Sequence, residues 1–175
     1  MTRANEGPMF AQREGEVRLK VDPAGMPGDS HLVFIGNVRS AWKTREDCPK
    51  NMGAARATGR AAAVEIDEAY RPGLEGLERA SHVIILSWLA HAPRDLVIQK
   101  PRHAAGASGV FALRSPARPN PIGLHVARLV SLDIASGVLG LDAIDALDGT
   151  PVIDLKPYLP SVDALSDATH LKVGP

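Results

Sequence analysis

Apolar positions fall in short alternating or continuous runs along most of the chain, each closed by Gly, Pro or a polar stretch. Val17, Leu19 and Val21 alternate with Arg18 and Lys20, the period-two signature of a half-buried strand. Pro23 to Asp29, with two Pro and two Gly, predicts a turn. Leu32 to Val38 predicts the next strand, and the polar stretch Arg39 to Lys50 a loop after it. Ala62 to Ile66 is a short β candidate, and Leu74 to Glu78 a single helical turn. His82 to Leu89 (HVIILSWL) is largely apolar with β-branched residues, which suits a central strand covered on both faces. A buried helix is the competing reading of so short a run. Val110 to Leu113 leads into an unusual stretch, Arg114 to Gly123. Beyond it, Leu124, Val126, Val130 and Leu132 predict the apolar row of a strand, with Arg128 as the polar exception on that face. Val138 to Ile144 and Pro151 to Leu155 supply two more strands.

Many short strands without regularly alternating long helices predict a mainly β fold. The expected architecture is an antiparallel or mixed sheet curled into a compact β-barrel, with short helical turns. No repeat, low-complexity tract or linker interrupts it, so a single domain is expected over 1–175, with residues 1–15 frayed. Glycine (16) and proline (14) exceed average usage, which adds to the case for turns. No apolar run approaches the roughly 18 residues of a spanning helix, and the N-terminus lacks a signal-like apolar core. A soluble, cytoplasmic protein that engages no membrane is therefore expected. The single cysteine, Cys48, excludes an internal disulfide framework and a thiol-rich metal site.

Net charge is zero, yet its distribution is uneven. Residues 91–128 carry Arg94, Lys100, Arg102, Arg114, Arg118 and Arg128 against Asp95 alone, whereas residues 129–175 carry seven acids and two bases. Zero net charge argues against loose, salt-driven coating of nucleic acid. The basic middle either meets a phosphate or carboxylate, or neutralises the acidic segment through strand pairing.

In Arg114-Ser-Pro-Ala-Arg-Pro-Asn-Pro-Ile-Gly123, three prolines fix φ and bias Ser115, Arg118 and Asn120 toward extended backbone. Such a loop is stiff before any ligand arrives, which lowers the ordering cost of binding. Arg114 and Arg118, four apart, can address one anion or line one groove; the plainer reading is a rigid connection with solvent-facing arginines. Gly123 permits close backbone approach. Asp142, Asp145 and Asp148 recur every three residues, a spacing that alternates faces on a strand and forms no single carboxylate cluster. Asp148-Gly149 is an ordinary turn signal. His82, His91, His103 and His125 lack metal-ligand spacing, so no metal is expected. His91, before Ala92-Pro93, is placed to line a pocket or to sit on a surface loop. Cys48, in a polar loop before Pro49, has no evident histidine partner. Walker, GxGxxG and GxSxG signatures are absent.

Phe111-Ala-Leu-Arg-Ser-Pro-Ala-Arg-Pro-Asn-Pro-Ile-Gly-Leu124 resembles the signature of the YaeB/TsaA-like family of TrmO-type tRNA methyltransferases. Three further blocks agree in order: Ile35-Gly-Asn-Val-Arg-Ser40 with Pro49-Lys-Asn51, Gly73-Leu-Glu-Gly-Leu77 with Ser81-His-Val83, and Leu147 to Tyr158. The resemblance spans most of residues 32–163. It implies a homodimeric β-barrel that binds S-adenosylmethionine outside the Rossmann design. It also implies methylation of the exocyclic amide nitrogen of threonylcarbamoyl-adenosine in tRNA. The implied cofactor contacts are Pro49, Lys50, Asn51, His91, Ala92, Arg114, Leu124, Leu147, Asp148, Gly149 and Thr150. Arg118 and Asn120 are the substrate-binding candidates, and Asp148 or His91 the candidate catalytic base. The chain departs from the family at Pro49-Lys50-Asn51, where Pro-Arg-Gln is familiar, and at His91-Ala92, where His-Gln is. It also ends soon after Tyr158, where longer members add a C-terminal domain. Two alternatives remain open: a module that binds S-adenosylmethionine without transferring its methyl group, and a small-molecule methyltransferase.

Overall fold

The structure, a computed structural model, describes residues 13–28, 31–101 and 104–169. Residues 1–12 of the expected frayed terminus, together with Arg102 and His103, lie outside the described residues. In chain order the strands are β1 (Val17–Arg18), β2 (Gly36–Arg39), β3 (Ala62–Ile66), β4 (His82–Trp88), β5 (Leu96–Gln99), β6 (Ser108–Gly109), β7 (Ile122–Asp133), β8 (Val138–Leu141) and β9 (Pro151–Pro157). Two short α-helices, α1 (Met52–Ala57) and α2 (Pro160–Asp163), and four 3₁₀ turns complete the described elements. Contacts group the chain into two compact units.

The larger unit, described over residues 31–90 and 122–169, holds a closed barrel of antiparallel strands in the order β2-β3-β8-β7-β4-β9. Within it, β4 pairs along its whole length with β7 and over Val83–Ser87 with β9. Its inward positions Val83, Ile85 and Ser87 are fully buried, while the alternate positions are half-buried. The interior is filled by Val38, Val64, Ile85, Leu139, Leu141, Ile144 and Val152, all at or below 1% exposure. Each contributes roughly 1.5–3 kcal/mol through burial. The mainly β expectation therefore holds, and Ala62–Ile66 forms a strand over the residues expected.

Two sequence expectations need correction. The strand expected from Leu32 begins at Gly36, because ladder partners on β3 and β9 start there; Leu32, Val33 and Phe34 are exposed. On β7 the inward row is Gly123, His125 and Ala127, not Leu124 and its apolar partners. Leu124 and Val130 are exposed, and the register shifts between Leu129 and Ser131. A histidine occupies the inner face because a buried serine and a partly exposed aspartate satisfy its ring, as described below.

The smaller unit takes in residues 91–121 and the described N-terminal residues. β1, β5 and β6 form an antiparallel sheet in the order β1-β5-β6. Arg18 and Asp95 form an ion pair at 2.6 Å, and the Glu16 carboxylate accepts from the Arg13 and Lys100 backbone N–H groups. Leu96, Val110 and Ala117 make a compact apolar core.

Candidate functional site

In the barrel unit, two segments zip together around the Leu147–Thr150 turn. The Val38 N–H donates to Thr150 O, the Gly149 N–H to Val38 O, and the Asp148 N–H to Trp42 O, at 2.8–2.9 Å. Side chains add to the zip: Trp42 Nε1 donates to Ile144 O at 2.8 Å and Ser40 Oγ to Ala146 O at 2.9 Å. Gly149 closes the turn at φ +76°, a left-handed conformation that glycine adopts without steric cost. Asp148 faces back into the zip, its Oδ1 accepting from the Ser40 N–H at 3.0 Å and its Oδ2 from Lys43 Nζ at 2.7 Å. The Lys43 bond foremost, and then the Ser40 N–H, hold its carboxyl below the usual range. With both oxygens engaged and the anion favoured, Asp148 is a weak proton acceptor.

Pro49, Lys50 and Asn51 lead into α1. The Asn51 side-chain oxygen accepts from the Ala54 N–H at 2.9 Å, the standard helix N-cap bond. That leaves the amide NH₂ of Asn51 and the exposed Lys50 ammonium facing solvent. Arg56, on the same helix, donates to the Asp142 carboxylate at 2.9 Å and to Val126 O at 2.6 Å, so α1 is tied to β7 and to the loop after β8. Burial pushes the Cys48 thiol up, the nearby Arg45 opposes that rise, and Asp145 adds to it. The thiol is thereby kept protonated and unreactive. Leu124 stands on the outer face of β7, 46% exposed. Pro49–Asn51, Leu124 and Leu147–Thr150 thus belong to one rigidly bonded unit.

Sequence reasoning missed a buried polar relay in this unit. Ser87 Oγ lies 2.8 Å from His125 Nε2, and His125 Nδ1 lies 2.6 Å from Asp145 Oδ1. Ser87 is fully buried and His125 is 4% exposed. An ionised carboxylate only accepts, so Nδ1 carries the proton, and the Ser87 hydroxyl pairs with Nε2. Gly123 makes room for this contact: a Cβ there would stand 2.4 Å from Ser87 Oγ and 2.7 Å from His125 Nε2. The available sequence signal was a serine at apolar-row parity on β4 and a histidine between the small residues Gly123 and Ala127 on β7, legible only once the two strands are known to pair.

In the smaller unit, Arg118 turns onto its own loop, donating to the carbonyls of Ser115, Val110 and Leu113. Arg94 Nε donates to Pro119 O at 2.6 Å and its NH2 to Asn120 Oδ1 at 3.4 Å. The stiffness expected from three prolines is therefore reinforced by two guanidinium groups. Arg114 and His91 are exposed, and Ala92 is half-buried. Asp142 and Asp148 pair with Arg56 and Lys43 of the first half, and Asp154 with Lys156. No group of three or more candidate metal ligands is present among the described residues.

Comparison with known proteins places these features in context. The family model described as tRNA-methyltransferase O N-terminal domain matches residues 37–164. A probable S-adenosyl-L-methionine-binding protein of Archaeoglobus fulgidus is 40% identical over 78% of the chain, which spans only 36% of that relative. A second protein of the same organism, an S-adenosyl-L-methionine-binding protein, is 39% identical over 77% of the chain and 94% of its own length. Among solved structures, TrmO from Pseudomonas aeruginosa superposes with a TM-score of 0.66 at 35% identity, covering 83% of this chain and 62% of that one.

Proposed function

From the premise that the chain belongs to the tRNA-methyltransferase O N-terminal domain family, we propose that it is an S-adenosylmethionine-dependent methyltransferase acting on tRNA. The acceptor in this reading is the exocyclic amide nitrogen of threonylcarbamoyl-adenosine, and the working form is a cytoplasmic homodimer. The observation that carries it is the family match across residues 37–164, a span that contains every residue proposed to contact the cofactor.

The chemistry of the barrel residues suits that cofactor. Its α-carboxylate calls for a cation or amide donor, which Lys50 and the free NH₂ of Asn51 supply. Its adenosine calls for an apolar surface beside a fixed turn, which Leu124 and Leu147–Thr150 provide. In the smaller unit, His91, Ala92 and Arg114 are the proposed cofactor contacts, and Arg118 and Asn120 the proposed substrate contacts. Because Arg118 is committed to loop carbonyls, its part is to hold the loop backbone in shape for RNA, while Arg94 holds Asn120.

When bound, the cofactor supplies an activated methyl group on a good leaving centre. The protein then has to align the acceptor nitrogen with that methyl group, exclude bulk water and take up one proton. His91 and Asp148 remain candidates for the last task, with Asp148 the poorer for the reason given above.

Calorimetry with S-adenosylmethionine, paired with incubation of labelled cofactor and total tRNA, tests the reading. Binding is expected to weaken at least about tenfold in Arg114→Ala, the loss of one charge-assisted contact. Absence of binding heat with folded wild type would refute it. Binding without label in tRNA points to a non-catalytic binding module, and label confined to a metabolite extract to a small-molecule methyltransferase.

A further inference from the structure

The loop after β8 carries three aspartates, and the barrel treats them differently. Asp142 spends Oδ1 on the Arg128 N–H at 2.8 Å and Oδ2 on Arg56 at 2.9 Å. Asp148 spends both oxygens on Ser40 and Lys43. Asp145 spends one: Oδ1 takes the His125 Nδ1–H at 2.6 Å, and Oδ2 accepts no hydrogen bond among the described residues. Its side chain is 18% exposed, so that second oxygen is reachable from outside, whereas Ser87 and His125 behind it are sealed. No Lys or Arg pairs with Asp145 among the described residues. Asp145 lies two residues before Leu147, and its charge reaches the Cys48 thiol beside Pro49.

We propose that Asp145 accepts the proton shed by the acceptor nitrogen during methyl transfer, and that His125 and Ser87 are positioning residues that aim its free oxygen outward. This inference rests on the methyltransferase reading above. In the step, the amide nitrogen's lone pair forms the N–C bond to the methyl carbon. The C–S bond of the sulfonium donor breaks, its electron pair staying on sulfur to leave a neutral thioether. The N–H proton passes to Asp145 Oδ2, and solvent takes it afterwards. Charge balances, since one sulfonium and one carboxylate become a thioether and a carboxylic acid. Holding Oδ1 through the imidazole fixes the plane of the carboxyl group, and with it the direction of the Oδ2 lone pairs. A serine hydroxyl suits the far end because it can donate to a neutral ring or accept from a charged one. The relay therefore stays bonded whichever state the dyad reaches.

The test combines three measurements on the full chain: calorimetry with S-adenosylmethionine, single-turnover methylation of tRNA with labelled cofactor, and the ¹H spectrum of ¹⁵N-histidine-labelled protein. Asp145→Asn is expected to keep cofactor affinity within about threefold and to slow methyl transfer at least about 100-fold, the scale of a lost general base. The wild-type spectrum should contain a downfield Nδ1–H signal from His125 that moves upfield in this variant. Should Asp145→Asn not fold, Asp145→Glu keeps the charge but displaces the oxygen, and should slow transfer at least about tenfold. Transfer within threefold of wild type in the folded variant would overturn the base role and leave the methyltransferase reading standing. Wild type that binds the cofactor but labels no tRNA would overturn both, because the proton acceptor would have no step to serve. Absence of the downfield signal from wild type would overturn the positioning role.

Discussion

Replacing Gly123 by Ala tests the packing that holds the relay together. The glycine has no positive φ, so the backbone accepts alanine; the obstacle is steric. The new methyl would stand 2.4 Å from Ser87 Oγ and 2.7 Å from His125 Nε2, closer than van der Waals contact allows. Ser87 and His125 must separate, and neither can turn to water, at 0% and 4% exposure. Each buried polar group left unsatisfied costs about 1–3 kcal/mol. Overpacking adds about 1–3 kcal/mol, and alanine's better backbone propensity returns about 0.5–1 kcal/mol. Counting one polar group left unsatisfied, the net expectation is a loss of about 1–5 kcal/mol, at roughly 2–4 °C of Tm per kcal/mol for a chain of this size. Ser87→Ala clears the nearer contact, so the two changes should couple. The double variant should be at least about 1 kcal/mol more stable than the sum of the singles predicts. Urea unfolding of the four proteins measures this. A Gly123→Ala variant within about 0.5 kcal/mol of wild type, or additivity within about 0.5 kcal/mol, would refute the packing argument.

Two more outcomes follow from the same bonds. Arg118→Lys keeps the charge but loses the planar fork that serves three carbonyls, so exchange of the Ala117 N–H should speed up at least about tenfold; an unchanged rate by hydrogen exchange would refute the stapling role. Asp142 is pushed up by burial, yet Arg56 and the Arg128 N–H outweigh that and hold its carboxyl below the usual range. Its stabilisation is therefore present above the unfolded value near pH 4 and lost as pH falls through the lower folded value. Arg56→Ala removes the leading counterweight, so stability should fall less steeply on acidification below pH 4 than in wild type, and parallel pH profiles would refute the link.

The barrel was legible where strands follow the binary rule. Ala62–Ile66 and His82–Trp88 carry β-branched residues at inward positions, and the burial of Val83 and Ile85 follows from the run itself. Leu32–Phe34 misled because propensity says nothing about whether a partner strand is present. β7 misled for a different reason. Pattern reading assigns polar residues outward, and His125 breaks that assignment only because Ser87, on another strand, and Asp145, on a loop, satisfy both ring nitrogens. Such satisfaction is a property of the register between β4 and β7, where Ser87 faces Gly123 and Ile85 faces His125. No local window contains it.

The three aspartates carry the same lesson into the candidate site. Their spacing of three excluded one carboxylate cluster, and the structure agrees, since each meets a different partner. What spacing could not rank was their chemistry. The family resemblance offered Asp148 as a candidate base, but its neighbours across the zip are a lysine and a backbone donor that favour its anion. Asp145 is the carboxylate with an oxygen to spare, because an imidazole N–H holds it from behind instead of a lysine or arginine from in front. Reactivity in this loop is therefore decided by what each carboxylate is not bonded to. That quantity emerges only when three strands and a helix have closed around it.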